Sequence, residues 1–343
     1  MKAAGLLKPV PSDGSRLAPE GPIIIRVPQA RNAVIFGVVN GEATPTPSTP
    51  SNASVTISEK LRRRMADRLE LDTVPQDING LFAVYAAWCR KVPFDNVRKL
   101  IALRTGDTGP LPGSDATDFM EKFLEHGTGG TCWSSSNALF EFVTAYGFNA
   151  RRIAGSMRDL GVPGHGSVKV ALNGMDWMVD SSMLTMFPIP ITGELYVYRD
   201  PLFGVEVEPT EESHLVWFNT PPYEDYFPCR LLMDDVSYAF YMERYELSRT
   251  RGPFNHHVSI RYNRNGARTV LQGHTRHQST EATGLVSTAL TREAMVSELR
   301  EAVGMSESIV RQWVQCGALE AQYEPPEHAP GPLTVKPPST RGR

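Results

Sequence analysis

Long apolar runs are absent from this chain of 343 residues: no stretch approaches the ~20 residues that span a bilayer, so no membrane role is expected. Charge of one dominant sign is missing too. Lys and Arg number 35 against 38 Asp and Glu, a net charge of -3 that gives no general attraction to phosphate, so a nucleic-acid partner is not expected. Cysteine is scarce. Cys89, Cys132, Cys229 and Cys316 form no CxxC pair and no zinc spacing, which excludes a disulfide framework, gives no metal site and fits a reduced, cytoplasmic setting. The opening MKAAGLLKPVPSDG sustains no apolar core before its first proline, so no secretory signal is expected.

What is present changes character along the chain. Residues 1–54 hold two apolar pieces, GPIIIRV and NAVIFGVVNG, and then EATPTPSTPSNAS, a linker too polar to order itself; they read as an extension. From residue 55 the spacing is helical. Ile57, Leu61, Met65 and Leu69 form one stripe behind Ser58 as cap; Ile78, Leu81, Phe82, Tyr85, Trp88 and Cys89 form a second behind Asp77. Ser114 is the expected cap of a third helix burying Ala116, Phe119, Met120, Phe123 and Leu124. A fourth follows Cys132, with Leu139, Phe142, Val143 and Tyr146 on one face and Gly147 as its stop.

Beyond residue 148 the period becomes that of strands: ARRIAGSMR, HGSVKVALN, DWMVDS, ELYVYRD, GVEVEP and HLVWF, separated by turn residues. HVSIRYN and RTVLQGH, joined through Asn265-Gly266, read as a hairpin. Helices return near Thr291–Val303 and Ser306–Cys316, and a proline-rich tail, residues 324–343, reads as disordered. The order is helices, an antiparallel barrel or sheet, then a smaller α/β piece.

Chemistry concentrates first in GTGGTCW, residues 127–133. Gly129 and Gly130 remove side chains just before Cys132, which would let the backbone approach a ligand. Cys132 itself opens a helix, where the partial positive charge favours a thiolate. The plain alternative is a small buried residue at a helix start. A second element is His165 opening one strand and Asp180 ending the next, with Asn173-Gly174 between. If Leu172 faces Met175 across a two-residue turn, Asp180 lies opposite Ser167 and diagonal to His165 on one sheet face. A four-residue loop would keep that parity but separate the pair; a three-residue loop would put them on opposite faces. A lone histidine or aspartate at a strand end is usually a turn residue. A thiol, an imidazole and a carboxylate in this order instead suit an activated nucleophile, a base and an orienting carboxylate. His126, His256, His257, His274 and His277 have no metal-ligand spacing.

PFDNV (93–97), GGTCWSSSN (129–137), GHGSVKVALNGMDWMVDSS (164–182) and NHHVSIRYNRNGARTVLQG (255–273) together resemble the arylamine N-acetyltransferases, from about residue 56 to about 318. The resemblance implies an α+β fold: an N-terminal helical bundle over 55–147, an antiparallel β-barrel over 148–254 and an α/β lid over 255–323, around a transglutaminase-like (papain-like) cysteine core. It makes Cys132 the acyl-accepting nucleophile, His165 the base and Asp180 its orienting residue. It also implies acetyl transfer from acetyl-CoA, as co-substrate rather than bound cofactor, to an arylamine, arylhydrazine or arylhydroxylamine. The chain departs from the family pattern at four places. Thr128 stands for a basic residue, Ser134 for an acidic one, Ser136 for asparagine, and Ser181–Met183 for a glycine-rich segment. The same core would serve an amide synthase, a transglutaminase-like thiol hydrolase, or a degenerate binding protein.

Overall fold

Ser58, itself extended, accepts a hydrogen bond from the Leu61 N–H, which starts α1 (Glu59–Leu69) where the stripe places it. Asp77 does the same for α2 (Ile78–Lys91) through the Gly80 N–H. A short helix not anticipated from the pattern, α3 (Val97–Arg104), follows the PFDN break. The cap of α4 (Ala116–His126) is Asp115, which accepts from Thr117 and Asp118, and not Ser114, whose hydroxyl turns back to the Leu111 carbonyl. The central helix α5 (Cys132–Thr144) is buried on all sides from Cys132 to Val143. The structure, a computed structural model, describes residues 57–223, 225–325 and 337–338; the expected N-terminal extension and nearly all of the expected tail lie outside the described residues.

Eight strands follow: β1 (Asn149–Met157), β2 (His165–Leu172), β3 (Met175–Val179), β4 (Ile189–Ile191), β5 (Tyr196–Arg199), β6 (Gly204–Pro209), β7 (His214–Asn219) and β8 (Phe227–Met233). They form one antiparallel sheet in the order β4-β3-β2-β1-β8-β7-β6-β5. Its two edges, β4 and β5, are consecutive in sequence and joined by residues 192–195 alone, so the sheet curls into a nearly closed barrel. Ile153, Met178, Ile189, Tyr198, Val205, Val216 and Phe218 fill its interior. The outer face of β2 and β3 packs on α2, α4 and α5 through Trp88, Phe119, Phe142, Val168 and Val179. Burying each large apolar side chain here contributes about 1.5–3 kcal/mol.

Helix α6 (Tyr238–Leu247) then runs beside α5. A second sheet, in the order β12-β11-β10-β9, holds β9 (Ser259–Arg264), β10 (Ala267–Gln272), β11 (Thr275–Thr280) and β12 (Gly284–Ala289). The Asn265-Gly266 turn is the expected hairpin, with both residues at positive φ. Helix α7 (Arg292–Ser297), a π-helical segment over Glu298–Val303, α8 (Glu307–Gln315) and α9 (Ala318–Ala321) pack with α3 against this sheet. Among the described residues no helix is long and apolar enough to cross a membrane.

Candidate active site

Cys132 is the first residue of α5, just after the Thr131 cap. The Thr131 side chain makes no capping bond, and among the described residues the Cys132 N–H makes no hydrogen bond either. The thiol is 6% exposed and its Sγ lies 4.0 Å from the carbonyl of Gly164, the residue before His165.

The β2–β3 hairpin has the two-residue geometry. Leu172 is opposite Met175, Asn173 has φ 54° and Gly174 φ 75°, and Val168 pairs with Val179. That register continues to put His165 and Asp180 on one face, and His165 Nε2 meets Asp180 Oδ2 at 2.7 Å with both side chains buried. Burial alone would push the imidazole down, but the Asp180 carboxylate and the adjacent Cys132 outweigh it and raise His165 to about 10. Burial would likewise raise Asp180; the His165 charge and two backbone donors overcome it and hold the carboxyl below its ordinary range. With Nε2 occupied, Nδ1 is the ring nitrogen left for the sulfur.

The carboxylate is held from several sides. Its Oδ1 accepts from the Ser182 and Met183 N–H groups at 2.8 Å each. The Tyr85 hydroxyl, reaching from α2, donates to the Asp180 carbonyl at 2.8 Å and accepts from the Asp180 N–H at 3.0 Å. Arg261 Nη1 donates to the Ser182 carbonyl and Arg268 Nη2 to that of Met183, each at 2.6 Å.

On the cysteine side, buried Asp95 accepts from the Gly129 N–H at 2.5 Å and the Val97 N–H at 2.9 Å. Burial raises its pKa to about 6 against these two donors. Asn96 binds the carbonyls of Phe254 and His257 and the Ser259 N–H, tying β9 to the same segment. Packing alone requires both glycines: a Cβ on Gly129 would strike the Pro93 carbonyl, and one on Gly130 would strike Ser134 and Phe119. Tyr85, Asp95 and Asn96 were not singled out from the sequence. A polar pair interrupting Val92–Val97 was the signal for the last two; Tyr85 on its apolar stripe gave none. Cys89 and Cys229 are buried in cores, and among the described residues no other histidine reaches this cluster. No group of three or more His, Cys, Asp or Glu suited to a metal occurs among the described residues.

Residues 77–194, which contain Cys132, His165 and Asp180, match the family model described as N-acetyltransferase, and that match indicates an acetyltransferase enzyme. Over that segment the chain is similar to the N-acetyltransferase family. Solved structures of arylamine N-acetyltransferases share its fold. The Mycobacterium marinum enzyme superposes with a TM-score of 0.65 at 17% identity, covering 76% of this chain and 97% of that one. The same enzyme in complex with CoA gives 0.64, at 17% identity and the same coverage. The Salmonella typhimurium enzyme gives 0.63 at 15% identity, covering 76% and 98%. No curated protein matches the sequence significantly.

The departures from the arylamine N-acetyltransferase pattern are accommodated locally. Thr128 and Ser134 are fully buried and bond to the backbone carbonyls of Lys122 and Thr131. Ser136 and Ser181, two of the departing positions, bond each other at 2.8 Å, and Ser136 also donates to the Gly166 carbonyl. The two changes together stitch α5 to the loops flanking His165 and Asp180.

Proposed function

We propose that the chain transfers an acetyl group from acetyl-CoA to an arylamine, arylhydrazine or arylhydroxylamine through an acetyl-cysteine intermediate. The observation that carries this reading is the buried His165–Asp180 bond beside a thiol in the first turn of a helix. His165, raised in basicity by Asp180, takes the Cys132 proton at Nδ1, and the sulfur attacks the thioester carbonyl carbon. The unpartnered Cys132 N–H, at the positive end of α5, donates to the oxygen as it gains charge. The C–S bond to CoA breaks, His165 returns the proton to the leaving sulfur, and an acetyl thioester remains on Cys132. The amine nitrogen then attacks that carbonyl, His165 accepts its proton, and the thiol is released. CoA in the solved Mycobacterium marinum enzyme supports the choice of donor.

In this reading Gly129 and Gly130 serve to bring Cys132 against the Pro93–Asn96 segment, and the helical, barrel and second-sheet regions act as bundle, barrel and lid. Intact mass after incubation with acetyl-CoA is the test. An acetyl adduct that is absent in Cys132→Ser and discharged by an arylhydrazine is expected; an unmodified protein with no CoA released overturns acetyl-CoA as donor.

A further inference from the structure

Lys99 is a buried ammonium bonded to no carboxylate. It is 3% exposed, and its Nζ donates to the carbonyl and the hydroxyl of Ser248 at 2.9 Å each. Withdrawing a cation from water in this way is costly, and burial pushes Lys99 down to about 8. Of the charges that act on it, the Cys132 sulfur opposes that push most, ahead of Glu246, while Arg249 adds to it. The Glu246 carboxylate is engaged elsewhere: it accepts from the Leu111 N–H at 2.7 Å and from Arg249 at 3.0 and 3.1 Å.

The fold brings this cation to the loop that carries the thiol. Helix α3 starts directly after the Pro93–Asn96 segment, whose Asp95 accepts from the Gly129 N–H and whose Phe94 bridges to Gly130. Lys99 and Leu103, four residues apart, share a face of that helix, and Leu103 packs against the apolar cluster that includes Phe94, Leu111, Cys132, Trp133 and Tyr245. The Lys99 Nζ lies 6.0 Å from the ring of Tyr245, a member of that cluster. Ammonium and sulfur therefore act on each other among apolar side chains, at 3% and 6% exposure, where water screens their attraction little.

We infer that the Lys99 ammonium is a second cation, beside the His165 imidazolium, that stabilises the Cys132 thiolate. This deepens the acetyl-transfer reading and rests on it, since Cys132 is the nucleophile in both. Lys99 is a positioning residue here: it acts through the sulfur and touches no substrate. Its charge serves both halves of the reaction, because the thiolate attacks when the acetyl group is taken and leaves when the amine removes it.

Alkylation tests this without acetyl transfer. The rate of iodoacetamide attack on Cys132 rises with pH as the thiolate forms. Lys99→Gln should move the midpoint of that rise upward by about one unit, a roughly tenfold loss of rate on its acid side. Glutamine keeps a donor for the Ser248 carbonyl, so a mere strut at this position would leave the midpoint in place. Lys99→Arg, which keeps the charge, should stay near the parent. An unmoved midpoint in Lys99→Gln, or an equal rise in Lys99→Arg, overturns the inference. The interaction is reciprocal, so with isotope-labelled lysine ε-carbons followed by NMR, Cys132→Ser should lower the titration midpoint of Lys99 by a similar amount. A Lys99 midpoint that holds in Cys132→Ser overturns the inference with Lys99 itself intact. Should the Lys99→Gln shift appear while acetyl-CoA leaves no adduct on the parent, the functional reading fails and the second cation stands. Should the adduct form while the alkylation midpoint holds, acetyl transfer stands and the inference about Lys99 fails.

Discussion

The Tyr85 hydroxyl and the backbone of Asp180 satisfy each other: the phenol donates to the carbonyl at 2.8 Å and accepts from the N–H at 3.0 Å, in a position sealed from solvent. Burial raises the Tyr85 pKa well above its ordinary value, so the phenol stays a neutral donor. One helical side chain thus fixes the end of β3, and with it the carboxylate that orients His165. Tyr85→Phe should cost about 1–3 kcal/mol, because the buried Asp180 and Thr185 N–H groups lose their acceptor while the Asp180 carbonyl keeps only the Leu184 N–H. Urea unfolding measures that loss, and slower alkylation of Cys132 should accompany it.

Asp180→Asn removes the charge that holds His165 at high basicity while keeping side-chain shape. Acyl transfer should fall by roughly 10³–10⁴-fold, the order seen when an orienting carboxylate is neutralised. Single-turnover kinetics with acetyl-CoA would show it; a variant within tenfold of the parent would mean that Asp180 does not orient the base.

The pH dependence of stability should carry the same signature. His165 has a folded pKa near 10 against an ordinary 6.5, so its contribution is complete below pH 6.5 and is lost as pH rises through 10. Denaturant midpoints taken across that window should drop more in the parent than in His165→Gln. Comparing the two cancels Lys99, which burial pushes down to about 8 and which titrates with the opposite sign.

Gly129→Ala forces a methyl into the Pro93 carbonyl, and Asp95→Asn removes one of the two acceptors that hold the Gly129 and Val97 N–H groups. Asp95→Asn should cost about 1–3 kcal/mol. Gly129→Ala should cost more and leave little folded protein, since the obstacle is backbone; thermal melts distinguish them.

Ser136 and Ser181 share a hydrogen bond, so their removal should not be additive. A cycle of Ser136→Ala, Ser181→Ala and the double variant should give a coupling of roughly 0.5–1.5 kcal/mol. Additive losses would show that the two departures from the family pattern arose without compensation.

Periodicity alone located α1, α2, α5 and the Asn173-Gly174 and Asn265-Gly266 hairpins, because each pairs a regular apolar stripe with a cap or turn residue that admits few conformations. It also allowed His165 and Asp180 to share one face, and the two-residue turn of the folded hairpin decides that they do. Helix α3 was too short to show a stripe. Strand β11 is polar and half-buried and β12 is largely exposed, with no buried face to impose alternation. Local spacing could not tell that Cys132 reaches this pair, that Tyr85 and Asp95 hold the two loops in place, or that the Arg261 side chain bonds the Ser182 carbonyl. Those contacts join segments far apart in sequence, and only the packing of α2, α5, the barrel and the second sheet brings them within hydrogen-bonding range.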